Sequence, residues 1–178
     1  MFSSPGTSLV PAHTEALEKA RLCCSSLSRL PFSALLAGTP VELELGPSSP
    51  VFDFGRGKSF FAAFRLEDGR PKTFEVETFP VNMLLNRYGH AFIPSIAFYD
   101  SQYRLLSAES PVMAYRKVPL ERERGFARLA IPEAAVFIVV YSNAVPGYLT
   151  LKDPDQPGGH LFINPGPTGV IRVVASGA

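Results

Sequence analysis

Period-two alternation, interrupted every few residues by Pro and Gly, is what most restricts how this chain folds. In VELEL, Val41, Leu43 and Leu45 alternate with Glu42 and Glu44; in TFEVET, Phe74 and Val76 alternate with Glu75 and Glu77. Alternation sends one set of side chains to a core and the other to water, as in a half-buried strand. Other short runs with strand character are VFDF, PSIAFYD, YRLLS, VMAYRKV, FARLAI, VFIVVYS, YLTLK, HLFI and VIRVVAS. Turn formers such as EDGRP, NAVPG, DPDQPGG and NPGPTG separate many of them, and 17 Pro and 14 Gly in 178 residues supply the breaks. Many short strands with frequent turns predict a mainly β chain, an antiparallel β-sandwich of jelly-roll or Ig-like type.

One segment has a different period. In HTEALEKARLCCSSLSRL, residues 13–30, Leu17, Ala20, Cys24 and Leu27 follow three-four spacing and give one apolar stripe. Thr14 reads as its N-cap, and Glu15 and Glu18 suit the positive end of the helix dipole. Pro31 stops it. The expected organisation is an extended or disordered stretch over 1–12 and a single domain over 13–178, with this N-terminal helix packed on the sandwich.

Cys23 and Cys24 are the two cysteines, and they are adjacent. Neighbours on a helix point about 100° apart, so within a helix they do not bridge. They read as small buried apolar residues with a structural role. A vicinal or intermolecular disulfide is the alternative. Metal-ligand spacing is lacking, and no cofactor is expected.

Residues 52–64, FDFGRGKSFFAAF, hold the one motif that invites a chemical reading. Gly57-Lys58-Ser59 matches the end of a phosphate-binding loop, but the glycine that such a loop needs five residues earlier is Phe52. The loop must also open a helix. Here Phe60, Ala62, Phe64 and Leu66 alternate on one side while Phe61 and Ala63 make the other apolar, as in a central strand buried on both faces. Residues 53–58 therefore read as a strand–turn–strand connection. Gly55 and Gly57 serve its backbone, and Phe60 and Phe64 serve the core.

Charge excludes further classes. The 17 basic and 16 acidic residues leave +1 with no basic stripe, so nucleic acid is not an expected partner. The mixed run RKVPLERERGFAR reads as a solvated connection. No run of 18 apolar residues is present to span a membrane. The N-terminus lacks the basic and apolar regions of a secretory signal, so either the protein is cytosolic or its signal has been removed and a starting Met supplied.

CCSSLSRLPF, SSPVFDFGRGKSFFAAFRL and AFIPSIAFYDSQYRLL together resemble the maltose operon periplasmic protein (MalM-like) family, and PGYLTLKDPD and GPTGVIRVV add to the likeness. It covers about residues 16–175. The resemblance implies a β-sandwich of the bacterial envelope, encoded near sugar-uptake genes in some bacteria, and it supplies no catalytic residues. The expectation is a non-catalytic periplasmic accessory or binding protein linked to carbohydrate uptake, with an envelope protein or a weakly bound saccharide as partner. The alternatives are a carbohydrate-binding module with an aromatic loop platform, and an uncharacterised hydrolase.

Candidate contacts follow from exposed cations and amphipathic rings. Arg56 and Lys58 put two charges on one turn, and Tyr88, Tyr103 and Tyr148, like Tyr99 and Tyr115, lie in or near predicted loops. His90 and His160 fall in turn contexts. Ser59, His160 and Asp53 or Asp100 are the residue types of a triad, but no nucleophile elbow accompanies them.

Overall fold

The run KSFFAAFRLE is apolar on both sides, and it lies where such a run must, inside a sheet with cover on each face. In the computed structural model, which describes residues 10–67, 70–81, 88–142 and 149–177, it forms β4 (Lys58–Glu67). Along one side β4 pairs with β1 (Phe32–Leu36) and the short β3 (Val51–Asp53), and along the other with β11 (Phe137–Ser142). β7 (Pro94–Tyr99) and β8 (Leu105–Glu109) complete this six-stranded sheet. A second, five-stranded sheet runs β2 (Val41–Leu45), β14 (Gly169–Ser176), β5 (Thr73–Phe79), β10 (Arg124–Ala130), β9 (Ala114–Arg116). A third joins β12 (Leu149–Lys152), β13 (His160–Gly166) and β6 (Tyr88–Phe92).

The fold is the expected mainly β, largely antiparallel sandwich with one α-helix. Phe64, Ile96, Phe98, Ile138 and Val140 of the first sheet share a buried cluster with Phe74, Val76, Ile171 and Val173 of the second. Leu161, Ile163 and Phe92 of the third sheet join it. Each alternating run contains a strand. Two strands were not foreseen, β1 and β6, and these make the parallel pairings, β1 with β4 and β6 with β13. His90 and His160 consequently lie on strands rather than in turns, and His90 is buried.

The helical expectation needs correction at both ends. α1 spans Val10–Lys19, so residues 10–12 are helical, whereas 1–9 lie outside the described residues. Thr14 is inside the helix, not at its cap: its hydroxyl donates to the Val10 carbonyl at 2.7 Å. The helix stops eleven residues short of Leu30, and the apolar stripe breaks with it. Beyond its end, Cys23 and Cys24 are bonded to each other. The expectation of two free, buried thiols is overturned, since Cys23 is exposed and Cys24 half-buried. Residues 20–26 are irregular, a single 3-10 turn follows at Leu27–Arg29, and Leu30 is extended before Pro31.

The charged run over 116–128 is also more than a solvated connection. Arg124, 6% exposed, donates to Glu77 at 3.1 Å and also to Glu121. Arg172 reaches Glu77 as well, at 2.8 Å, and Arg122 lies 3.9 Å above the Phe79 ring while bonding Glu42. Glu77, expected to face solvent, is enclosed by two guanidinium groups.

Candidate functional site

The β4 side chains that point away from the inter-sheet core are Phe61 and Ala63. β11 adds Phe137, Val139 and Tyr141 to that face, and β7 adds Ala97 and Tyr99. The pairing aligns them, Tyr141 opposite Phe61 and Phe137 opposite Tyr99. The outer face of the six-stranded sheet is thus a wall of rings. It is covered by Cys24, Leu27 and Leu30 from the segment after α1, by Phe32, by Phe52 and Phe54 around the β3–β4 turn, and by Tyr103.

Ring geometry divides the wall into two patches. Phe54 stacks on Tyr141 at 4.6 Å and meets Phe61 edge-on at 5.4 Å. Tyr103 stacks on Phe137 at 4.7 Å, and Phe32 tilts against Phe137 at 4.5 Å. Such pairs add to the burial of apolar area. The Tyr99 phenol is pushed up to about 12, first by burial and then by Tyr141 beside it. It therefore remains a protonated hydrogen-bond donor across the physiological range.

Two local turns position the rim. Asp100 Oδ1 accepts the N–H groups of Gln102 and Arg104, both at 2.9 Å, and its Oδ2 accepts Arg104 Nε at 2.8 Å. The Arg104 N–H is the main cause holding this carboxyl below its ordinary value, against the upward push of burial; the Arg104 guanidinium and Gln102 N–H assist. The turn places Tyr103 at φ +60, in the left-handed region. At the second turn, Asp53 Oδ1 accepts the N–H groups of Gly55 (2.8 Å) and Gly57 (3.2 Å), with φ at +91 and +97. The anion-holding nest of a phosphate loop is here filled by the chain's own carboxylate. Ser59 then enters a strand, as the sequence reading required.

The predicted contact residues separate accordingly. Tyr103 is half-buried on the wall, and Arg56 is exposed on the β3–β4 turn. Lys58 is committed elsewhere: its ammonium group donates to the carbonyls of Glu18 (3.0 Å) and Ala20 (2.6 Å) at the end of α1. The backbone of Tyr88 belongs to β6, in the third sheet. Tyr148 is outside the described residues. Phe60 and Phe64 are both buried, and Phe64 belongs to the inter-sheet cluster. Tyr99 and Tyr115, expected near loops with wet hydroxyls, are buried on β7 and β9. Tyr141, Phe54 and Phe137 were not among the residues that the sequence offered for this face. The available signal was the spacing of Phe137, Val139 and Tyr141 in a run apolar on both sides.

The triad residue types are each engaged locally. The buried Ser59 hydroxyl donates to the Phe60 carbonyl at 2.7 Å and accepts the Ser142 N–H at 2.8 Å. Asp53 and Asp100 hold their turns, and His160 Nδ1 lies 3.0 Å from the Gly158 carbonyl. A separate open cleft of about 950 Å³, lined by Leu66, Arg70, Lys72, Ile131 and Glu133 among others, contains none of the predicted contacts. Among the described residues, no group of three His, Cys, Asp or Glu is arranged to hold a metal, and no helix is long and apolar enough to cross a membrane.

No protein-family model matches the sequence. A comparison with curated proteins likewise yields no match. Among solved structures, the chain is similar to the pre-peptidase C-terminal domain of a collagenase from Bacillus anthracis, with 7% identity over 82% of this chain and 96% of that one and a TM-score of 0.33. A likeness that distant carries no functional weight.

Proposed function

We propose that the protein is a non-catalytic binding module of the bacterial envelope, an accessory protein similar to the maltose operon periplasmic proteins. The observation that carries this reading is the ring cluster on the outer face of the six-stranded sheet, with the half-buried Tyr103 at its edge and the exposed Arg56 on the separate β3–β4 turn. A partly exposed ring such as Tyr103 supplies stacking area and a polar handle for a partner or a saccharide, and an exposed cation such as Arg56 supplies a second kind of contact. The Cys23–Cys24 bond supports the compartment, because disulfides persist where the surroundings are oxidising. Against the triad drawn from Ser59 with Asp53 or Asp100 stand the local engagements of these three residues.

The carbohydrate-binding reading is favoured by one feature, the Tyr103–Phe137 stack, which presents a half-buried ring on a structured loop. Calorimetric titration with soluble oligosaccharides, the maltose series included, tests it. Specific heat that disappears in Tyr103→Ala with the melting temperature retained establishes saccharide binding. Heat unaffected by Tyr103→Ala and Arg56→Ala places any sugar site elsewhere. Turnover of ester or glycoside substrates by the purified protein overturns the non-catalytic reading. Fractionation of cells expressing the gene from its native start tests the compartment, and a cytosolic product rejects it.

A further inference from the structure

We infer that Cys23–Cys24 is a two-electron redox site that sets the length of α1, and that a dithiol reductant is its substrate class. The inference starts from a conflict between sequence and structure. Residues 13–30 carry helical spacing through both cysteines, with Leu17, Ala20, Cys24 and Leu27 in one stripe and Pro31 as the natural stop. The observed helix ends at Lys19, with three residues between it and the bonded pair. Adjacent residues of an α-helix point about 100° apart, so a bond between their sulfurs and helical geometry exclude each other at this place.

The bond does not have the role usual for a disulfide. A cross-link stabilises chiefly by closing a loop in the unfolded chain, and its effect grows with loop length. A bridge at sequence separation 1 closes essentially none. What it fixes is the local path. In that path Cys23 donates its N–H to the Val51 carbonyl at 2.8 Å, and Cys24 and Leu27 cover the ring wall. The carbonyls of Glu18 and Ala20, which an extended helix would bond internally, are taken up by Lys58 instead. Two arrangements thus compete for the same backbone groups, and the sulfur bond selects between them.

Access decides where reduction begins. Cys23 is exposed while Cys24 is half-buried against the wall, so an incoming thiolate attacks Cys23 Sγ. The S–S bond breaks, Cys24 leaves as a thiolate and takes a proton, and a mixed disulfide forms at Cys23. The reductant's second thiol then attacks its own sulfur in that bond, releasing Cys23 as a thiolate that is protonated in turn. The dithiol becomes a cyclic disulfide, and two electrons and two protons reach the protein. The helix, already nucleated, can now propagate through 20–29 toward Pro31.

Far-ultraviolet circular dichroism of the folded protein before and after dithiothreitol, with thiols titrated in parallel, tests this independently of any ligand. The expected result is two titratable thiols and a helical signal that roughly doubles, since α1 has 10 residues and propagation adds about as many. The Cys23→Ser, Cys24→Ser double variant should show the longer helix without reductant and no response to it. Two thiols with unchanged helical signal overturn the inference. So does a bond that resists dithiothreitol in the folded protein, or loss of the sheet signal on reduction, which would make the bridge a staple of the fold. Should the double variant not fold, the reduced wild type gives the same decision.

Discussion

Lys58 follows Gly57 and precedes Ser59, the order that ends a phosphate-binding loop, yet its ammonium group bonds carbonyls at the C-terminal end of α1. The position suits a cation, because the last carbonyls of a helix are unpaired and carry the negative end of its dipole. The sequence offered Lys58 only as a candidate contact on a charged turn. The structure gives it weight in stability, and Lys58→Ala should lower stability by about 0.5–1 kcal/mol. Gly57→Val should cost more, about 1–2 kcal/mol, because a branched side chain at φ +97 is strained even where space is open. Urea midpoints measure both. A Gly57→Val variant as stable as wild type would mean that the turn re-forms with a different backbone, and Asp53 would then not be its organiser.

Most strands were legible because a half-buried strand writes its orientation into alternate residues, as Val41 to Leu45 and Phe74 to Val76 do. β1 and β6 were not. FSALL follows directly on Pro31 and continues what reads as a helical stripe, and its pairing with β4 is parallel and distant in sequence. YGHAF holds a Gly and a His, residue types that read as a turn. The helix was legible only up to Lys19, and the covalent bond between the neighbours beyond it leaves no trace in periodicity. Of the candidate site, Tyr103 and Arg56 could be read from loop placement, whereas Tyr99 and Tyr141 are on strands apolar on both faces, where nothing local says which side is a second core.

β6 carries a pH dependence. His90 is buried there, with its N–H and carbonyl bonded to Val81. Its imidazole is held below the ordinary 6.5 by burial first and by His13 second; His13 Nδ1 itself contacts the Thr168 hydroxyl at 2.5 Å. A folded value below the unfolded one means that the unfolded chain takes the proton first as pH falls. The contribution is present above about pH 6.5 and drains as pH drops from there toward the folded value. The urea midpoint should therefore fall between pH 7.5 and 5.5, and His90→Gln should flatten that slope. Asp100, depressed below its ordinary 3.8, acts in a lower window, its contribution vanishing as pH falls through the folded value. A slope unchanged by His90→Gln would assign the pH dependence to other groups.

The whole molecule is a sandwich with a further cover: the second sheet closes one face of β4, and the segment from α1 to β1 with the β3–β4 turn closes the other. α1 itself meets β4 and β13, and Lys58 ties its end to the turn. This accounts for strands β7 and β11 being buried on both sides, whereas β8 at the sheet edge is largely exposed. Urea unfolding of Phe61→Ala beside Phe64→Ala tests this arrangement most directly, because the two residues point to opposite faces of one strand. Phe64 faces the inter-sheet core, where a Phe→Ala change costs about 3–5 kcal/mol. With both faces covered, Phe61→Ala should cost a similar amount, about 3–5 kcal/mol. A loss below about 1 kcal/mol for Phe61→Ala beside a full loss for Phe64→Ala would show the outer face open to water in solution, contradicting the covered sheet.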